Sequence, residues 1–258
     1  MLNFRHLGGE GNPPMVILHG LLGSSRNWVK AGKALASRFD VFALDLPNHG
    51  DSPSMPGMTF DAVAKCILEW MDEHALVTPV LLGHSLGGKV AMRMAGRYPN
   101  RCKALAVADI APREYEPHSR TVIEAMLGLD LASFQSRRDA EDALREVVPD
   151  LGLRRFMLTN LVRHGDTLVW QVNLEGLLHS LPKLICNPMT GLSAYQGPAL
   201  FMRGENSQFI RTGDEAVIQD WFPKFELVTI PHAGHNIHFD NLPFFVDTVF
   251  HSFCGLSV

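Results

Sequence analysis

The feature that most constrains this chain is the alternation of short apolar runs with segments of helical periodicity in its first half. The runs MVIL, DVFAL, PVLLG and ALAVADI have the length of buried strands. Between them lie segments such as TFDAVAKCILEWMDEHAL, which places its apolar residues on one helix face. Strands that are apolar throughout and alternate with helices are typical of a parallel sheet covered on both faces. Such a sheet carries its functional loops at the carboxyl ends of its strands.

The alternation of predicted strands and helices is interrupted in the middle of the chain and then continues. The segments SFQSRRDAEDALREVV and RRFMLTNLVRHG predict helices, LVWQVNLEGLLHSLPKL is helical in its later part, and no convincing apolar strand lies among them. The runs PALFM and FELVTI then predict further strands, followed by a last helix. The sequence therefore predicts one α/β core formed by residues 1–112 and 191–258, with a helical cap of residues 113–190 inserted between two strands.

Composition excludes several classes of protein. With 46% hydrophobic and 19% charged residues and a net charge of -4, the chain resembles neither a disordered protein nor one that binds nucleic acid. No apolar run approaches the roughly 20 residues that cross a bilayer, and no signal peptide is visible, so we expect no membrane insertion and a cytoplasmic location. The four widely spaced cysteines are expected to be buried free thiols. Nothing in the sequence indicates the oligomeric state.

The motif GHSLGG, residues 83–88, follows a predicted strand and begins a predicted helix. A serine at this turn protrudes from the end of the strand, and the crowded backbone requires glycines on either side of it. Its position at a helix N-terminus also places backbone N–H groups where negative charge would develop. We therefore interpret Ser85 as a nucleophile, although the same turn could merely begin a helix.

A serine hydroxyl needs a neighbouring base, and the stretch PHAGHNIHF contains three histidines. His235 lies in a loop after the last predicted strand, from which it could reach Ser85 across the sheet end. His232 and His238 are interpreted as bystanders. A metal site is disfavoured, because the proline and glycine of this stretch oppose a regular helix and no carboxylate cluster accompanies it. We predict no metal and no cofactor.

The turn HGLLGSS ends an earlier strand. For acyl transfer, the backbone N–H groups of Leu21 and Leu86 would bind the oxyanion. His19 would support this loop through hydrogen bonds.

Taken in order, HGLLGSS, GHSLGGKVAMRMA and PHAGHNIHF resemble the motifs of the α/β-hydrolase fold over nearly the whole chain. The chain also resembles the small esterases of the YbfF type, with which it shares VADIAP, RRDAEDAL, FMLTNLV, VNLE and the RG..S turn. The resemblance implies a mostly parallel central sheet covered by helices on both faces, a helical cap inserted between strands, and a catalytic triad of serine, acid and histidine.

The acid of this triad is not where most members of the fold carry it. They place an aspartate in a turn after the first strand that follows the cap, and here that position holds Ser207. A hydroxyl cannot supply the negative charge that orients the imidazole. Glu205 and Asp214 lie near this turn, and a shift in register could recruit either of them. Asp109, in VADIAP, ends the strand next to that of the nucleophile.

We favour Asp109 as the acid for two reasons. The order Ser85, Asp109, His235 retains the usual order of nucleophile, acid and base, and the resemblance to YbfF-type esterases implies an acid at this earlier strand. Ser207 would then be a neighbour of the triad that donates a hydrogen bond.

The resulting expectation is a serine hydrolase that cleaves small carboxylic esters of short to medium acyl chain. Leu22, Phe134 and Trp170 are the candidates for the acyl pocket. Acyl-CoA or other thioesters are the nearest alternative substrates, with Arg154, Arg155 and Lys183 as candidates for phosphate binding. A lyase or C–C hydrolase on the same fold and a non-catalytic binding protein also remain open.

Overall fold

The computed structural model describes residues 1–117 and 119–255. The strands in these residues are β1 Phe4–His6, β2 Pro14–Leu18, β3 Asp40–Leu44, β4 Val80–His84, β5 Ala104–Ala108, β6 Leu161–His164, β7 Thr167–Trp170, β8 Ala199–Gly204 and β9 Phe225–Ile230. The α-helices are α1 Val29–Leu35, α2 Phe60–Glu73, α3 Leu86–Arg97, α4 Ser119–Leu127, α5 Arg137–Ala143, α6 Leu151–Leu158, α7 Leu174–Leu184, α8 Asp214–Trp221, α9 Ile237–Asp240 and α10 Leu242–Ser252.

Seven of the described strands form one sheet in the order β1-β3-β2-β4-β5-β8-β9. Only the pairing of β1 with β3 is antiparallel, and the remaining neighbours are parallel. The described residues thus form a mostly parallel sheet covered by helices on both faces, as the sequence predicted. Because β4, β5 and β8 are adjacent and parallel, the loops after their carboxyl ends meet at one edge of the sheet.

Alternate residues of the central strands pack on opposite faces of the sheet. Val16, Leu81 and Leu105 belong to one buried cluster, whereas Ile17 and Leu82 belong to the other. The first cluster also contains apolar side chains of α2, α3 and the segment between β5 and β8. The second contains those of α1 and α10. Because these strands are buried on both faces, their sequences are continuous apolar runs.

The segment between β5 and β8 contains α4, α5, α6 and α7 together with the antiparallel hairpin of β6 and β7. The predicted helix RRFMLTNLVRHG was wrong in its second half, because α6 ends at Leu158 and β6 follows. The hairpin was also missed in LVWQ. Leu161 and Leu168 are buried while Arg163 and Thr167 are exposed, so each strand is only half apolar and too short to give a distinct alternation.

Two further features differ from the sequence prediction. The edge strand β1 was not predicted, because three residues give no detectable periodicity. The cysteines are free thiols, but only Cys102 is buried: Cys66 is half-buried, and Cys186 and Cys254 are exposed. Of the helices described by the structure, none has both the length and the apolar character needed to cross a bilayer.

Candidate active site

Ser85 lies in the tight turn between β4 and α3, with φ 51° and ψ -116°. This strained conformation projects the side chain away from the strand end. The flanking glycines are required by close backbone contacts. A Cβ atom on Gly83 would come within 2.2 Å of the Gly87 carbonyl oxygen, and one on Gly87 would come within 2.2 Å of that of Leu18. The local sequence GHSLGG therefore fits this turn for steric reasons.

Asp109 directly follows β5, and its side chain is fully buried. His235 Nδ1–H donates a hydrogen bond of 2.7 Å to Asp109 Oδ2. The backbone N–H of Gly204 donates to Oδ1 at 3.0 Å, and the Ser207 hydroxyl donates to Oδ2. Hydrogen bonds to a buried carboxylate stabilise its charged form and fix its orientation. The structure thus joins Asp109 to the His235 ring from the β5 side.

The other two candidate acids are engaged elsewhere. Glu205 Oε2 accepts a hydrogen bond of 2.7 Å from the backbone N–H of His232. Asp214 accepts from the Arg113 guanidinium at 3.1 Å. Ser207, which occupies the position expected for the acid, is bound to Asp109 instead. Its hydroxyl therefore lies beside the carboxylate at the carboxyl end of the neighbouring strand.

Ser85 and His235 line the same cavity, which has a volume of about 210 Å³. No hydrogen bond between their side chains is present in the described residues. Catalytic hydrogen bonds are often long before substrate binds. The His235 ring also stacks on Phe209, with 3.7 Å between ring centroids and 18° between planes. The imidazole is thus held by a carboxylate at its edge and by an aromatic ring on its face.

The backbone N–H groups of Leu21 and Leu86 are the candidates for binding an oxyanion at Ser85. Leu86 is the first residue of α3, so its N–H has no partner within the helix. The described part of the chain provides no hydrogen bond for either N–H. Leu21, Ser85 and Leu86 line a common cavity. Two free backbone donors beside a protruding hydroxyl are the arrangement that stabilises a tetrahedral oxyanion.

Two buried histidines hold the loop that carries Leu21. His19 Nδ1–H donates to the Gly20 carbonyl oxygen at 2.8 Å, and its Nε2 accepts from the Leu46 N–H at 2.9 Å. His49 Nε2 accepts from the Leu22 N–H at 3.2 Å. Burial lowers the pKa of His19, and it lowers the pKa of His49 to about 3. Both rings are therefore neutral near pH 7 and support the loop.

The cavities beside Ser85 include only one of the three residues predicted for the acyl pocket. Leu22 lines the first cavity. Phe134 and Trp170, which were also predicted for this pocket, line neither of the two described cavities that contain Ser85. They pack on the buried cluster that joins the cap to one face of the sheet, and Trp170 Nε1–H donates to the Met126 carbonyl oxygen at 3.1 Å. Their large apolar side chains stabilise the cap itself.

The second cavity beside Ser85 has a volume of about 110 Å³. Its apolar wall is formed by Leu86, Ile110, Leu181, Leu184 and Ile185. Glu116 and Ser119 also line it, as does Lys89, which sequence reasoning missed and which lies one helical turn after Ser85. Burial lowers the pKa of Lys89 to about 7.

The Lys89 ammonium anchors the end of α7 to the core. Its Nζ donates to the carbonyl oxygens of Ile185 at 2.6 Å and Cys186 at 2.8 Å. Of the residues suggested for binding phosphate, Arg154 is buried and donates to the carbonyl oxygens of Val148 and Pro149. Its guanidinium therefore stabilises the cap internally.

Comparison with known proteins identifies the relatives of this chain. A family model described as alpha/beta hydrolase fold matches residues 13–171. The sn-1-specific diacylglycerol lipase ABHD11 of Mus musculus is 36% identical over 257 residues, which cover 96% of this chain and 83% of the lipase. Esterase YbfF of Escherichia coli (strain K12) is 28% identical over 230 residues, which cover 89% of this chain and 88% of the esterase.

A solved structure is similar over almost the full length. The protein titled marine microorganism esterase superposes with a TM-score of 0.93 and is 32% identical, covering 97% of this chain and 98% of its own. The resemblance therefore extends through the cap as well as the sheet.

Proposed function

Because the chain belongs to the α/β-hydrolase fold family and is a carboxylic ester hydrolase, we propose that it cleaves esters through an acyl-enzyme on Ser85. The Ser85 oxygen attacks the ester carbonyl while His235 Nε2 takes the hydroxyl proton. The tetrahedral intermediate collapses, the bond to the alcohol oxygen breaks, and His235 returns the proton to the leaving alcohol. Water then attacks the acyl-enzyme in the same way and releases the carboxylic acid.

Asp109 acts in this scheme as the group that orients the base. Its hydrogen bond from Nδ1–H holds the proton on that nitrogen, so that Nε2 is free to accept one from Ser85. Its negative charge also stabilises the imidazolium that forms during each step. The N–H groups of Leu21 and Leu86 bind the oxyanion, and each such donor contributes about 3 kcal/mol to transition-state stabilisation.

The observation that carries the proposal is the bond of 2.7 Å between His235 and a buried carboxylate, on a ring that shares a cavity with a strained serine. A buried aspartate that serves only a structural role has no need of a solvent-accessible histidine as its partner. Relatives named as lipase and esterase support the same chemistry.

The second cavity is suited to a short acyl group. Its wall is mostly apolar, and its volume of about 110 Å³ is smaller than the roughly 150 Å³ cavity of an engineered protein that binds benzene. It contacts Ser85 and both oxyanion donors but not His235. An acyl carbonyl held by these donors would therefore extend its chain into this cavity.

Fluorophosphonate labelling and ester turnover test the proposal together. We expect covalent labelling at Ser85 and hydrolysis of p-nitrophenyl butyrate faster than that of p-nitrophenyl laurate. The Ser85→Ala variant should lose both activities by at least about 10³-fold. Hydrolysis that persists in Ser85→Ala, with label on another residue, would overturn the assignment. Faster cleavage of butyryl-CoA than of the butyrate ester would show a thioesterase instead.

A further inference from the structure

The ring of Phe209 restricts how the catalytic base can move. The hydrogen bond from His235 Nδ1–H to Asp109 fixes one edge of the imidazole, and the ring can still turn about that bond. The nearly parallel stack on Phe209, at 18° between planes, opposes this rotation. It therefore helps to set the direction in which Nε2 points toward Ser85, which proton transfer requires.

Burial alone does not hold Phe209 in this position. It lies in the loop between β8 and α8 and is 37% exposed. Loop residues at the surface are held less firmly than residues of the core. The hydrogen bonds of the Phe209 backbone therefore matter for the position of its ring.

The Phe209 backbone is bound through both its N–H and its carbonyl group. The N–H donates to Ser207 Oγ at 3.2 Å, within the same loop. The carbonyl oxygen accepts from the Tyr115 hydroxyl at 2.6 Å and from the Arg113 guanidinium at 3.3 Å. Tyr115 and Arg113 both belong to the segment between β5 and β8. These two donors therefore tie the loop of Phe209 to a separate part of the chain.

Tyr115 is itself firmly held. Its hydroxyl accepts from the Ala111 N–H at 2.8 Å, and its own N–H donates to the Ile185 carbonyl oxygen at 3.0 Å. The guanidinium of Arg113 lies over its ring at 3.9 Å from the centroid, and the ammonium of Lys89 at 4.7 Å. Burial raises the pKa of Tyr115 to about 12, so the hydroxyl keeps its proton near pH 7 and can donate to the loop.

We propose that Tyr115 is a positioning residue for catalysis, whose hydroxyl holds Phe209 against the ring of His235, with Arg113 as the second donor to the same carbonyl group. This inference rests on the proposed function and adds to it a residue that acts through the base. Without the hydroxyl, the loop gains freedom and Nε2 is aligned for a smaller fraction of the time. The loss falls on each step in which His235 moves a proton.

The alternative role for Tyr115 is to contact the acyl group, because it also lines the second cavity. The two roles predict different kinetics. A residue that contacts the acyl group changes KM and the preference among acyl chain lengths. A residue that acts through His235 lowers kcat and kcat/KM equally, and it does so to the same extent for p-nitrophenyl acetate and p-nitrophenyl butyrate.

Tyr115→Phe tests the inference, because it removes the hydroxyl and retains the ring. We expect kcat to fall about threefold for both esters with KM unchanged, which is the loss expected when Phe209→Leu removes the stack itself. An unchanged kcat, or an effect confined to KM, would overturn the inference.

A double-mutant cycle shows whether Tyr115 acts through Phe209. Once Phe209→Leu has removed the ring, the Tyr115 hydroxyl has no stack left to maintain. The double variant should therefore lose about threefold in kcat, whereas independent effects would multiply to about ninefold. A loss closer to ninefold would show that Tyr115 acts by another route and would contradict the inference.

Tyr195→Phe is the matched control for a lost tyrosine hydroxyl. The Tyr195 hydroxyl donates to the Cys102 carbonyl oxygen at 3.1 Å, and Tyr195 lines neither described cavity that contains Ser85. Urea unfolding should show a loss of stability in this variant, while kcat should equal that of wild type. A threefold fall in kcat here would attribute the effect of Tyr115→Phe to stability and refute its positioning role.

Arg113→Met provides a second variant should Tyr115→Phe not fold. It removes the other donor to the Phe209 carbonyl and the cation over the Tyr115 ring. It should lower kcat about twofold in the wild-type background and add nothing to Phe209→Leu. A wild-type kcat in folded Arg113→Met, or a loss that multiplies with that of Phe209→Leu, would also contradict the inference.

The same assays separate failure of this inference from failure of the proposed function. If Ser85→Ala hydrolyses both esters as fast as wild type, the nucleophile is wrong. If hydrolysis depends on Ser85 but Tyr115→Phe retains the wild-type kcat, the nucleophile stands and Tyr115 does not position the base.

Discussion

Replacing His238 by phenylalanine should stabilise the protein, and more strongly in acid. The buried Nδ1 has no partner in the described residues, and a polar group in this state costs about 1–3 kcal/mol. Phenylalanine can retain the stack on Trp28, while its additional ring atom can extend toward the cavity. Near pH 7.5 we therefore expect the free energy of unfolding to rise by about 1 kcal/mol, at the lower end of this range.

The pH dependence of this gain in stability follows from the lowered pKa of His238. His238 has a pKa of about 3 in the folded protein against 6.5 for an ordinary histidine. Between these values the unfolded chain binds a proton that the folded chain excludes, so stability falls as pH falls below 6.5. Near pH 5 this loss is about 2 kcal/mol for the wild type and absent from the variant. The gain from His238→Phe should thus reach about 3 kcal/mol near pH 5.

Urea unfolding at the two pH values measures this difference, provided that the slope with denaturant is the same in both proteins. His251→Phe provides the control for an exposed histidine. A variant that is less stable than wild type at both pH values would show that His238 is a structural residue. An equal gain at both pH values would contradict the neutral state assigned to the ring.

Three further changes test neighbouring contacts. Ser207→Ala should lower kcat about tenfold in an ester assay, because Asp109 loses one of its three donors. Phe209→Leu should lower kcat about threefold, since His235 loses an aromatic stack, and steady-state kinetics would show whether KM changes instead. Lys89→Met should abolish a rise in stability between about pH 7 and pH 10, where the unfolded lysine alone retains its proton; urea unfolding across that range measures it.

The parts of the fold that the sequence predicted have strong local causes. Central strands buried on both faces leave continuous apolar runs, and the steric demands at Gly83 and Gly87 produce a recognisable motif. The parallel direction of the central strands follows from the same alternation of strands and helices. The residues expected to lie at the carboxyl ends of β4 and β5 do lie there.

The triad acid could not be identified from the local sequence pattern alone. Ser207 occupies the position at which most members of the fold carry the carboxylate, and only the adjacency of β5 and β8 brings Asp109 to the same place. A chain that contains Glu205 and Asp214 nearby offers no local signal to exclude them. Their exclusion comes from contacts with His232 and Arg113, which are properties of the folded chain.

The cavity walls were the least predictable feature. Phe134 and Trp170 are large and apolar, as pocket residues often are, but the same property suits a cap core. Phe209 lies two residues after Ser207, and its contact with His235 depends on how that turn folds back. Trp28 and His238 are distant in sequence, and only the folded chain stacks their rings and brings both to the cavity that contains Ser85.

Removing the charge of Asp109 tests most directly which residue supplies the carboxylate that orients His235. Asp109→Asn and Glu205→Gln remove one negative charge each from positions that sequence alone leaves open. With folding verified by circular dichroism, kcat/KM for p-nitrophenyl butyrate is compared in both variants and wild type. We expect Asp109→Asn to lose about 10³–10⁴-fold, because His235 no longer retains its proton on Nδ1, and Glu205→Gln to stay within about threefold of wild type. A folded Asp109→Asn that keeps wild-type kcat/KM, or a loss confined to Glu205→Gln, would contradict the triad.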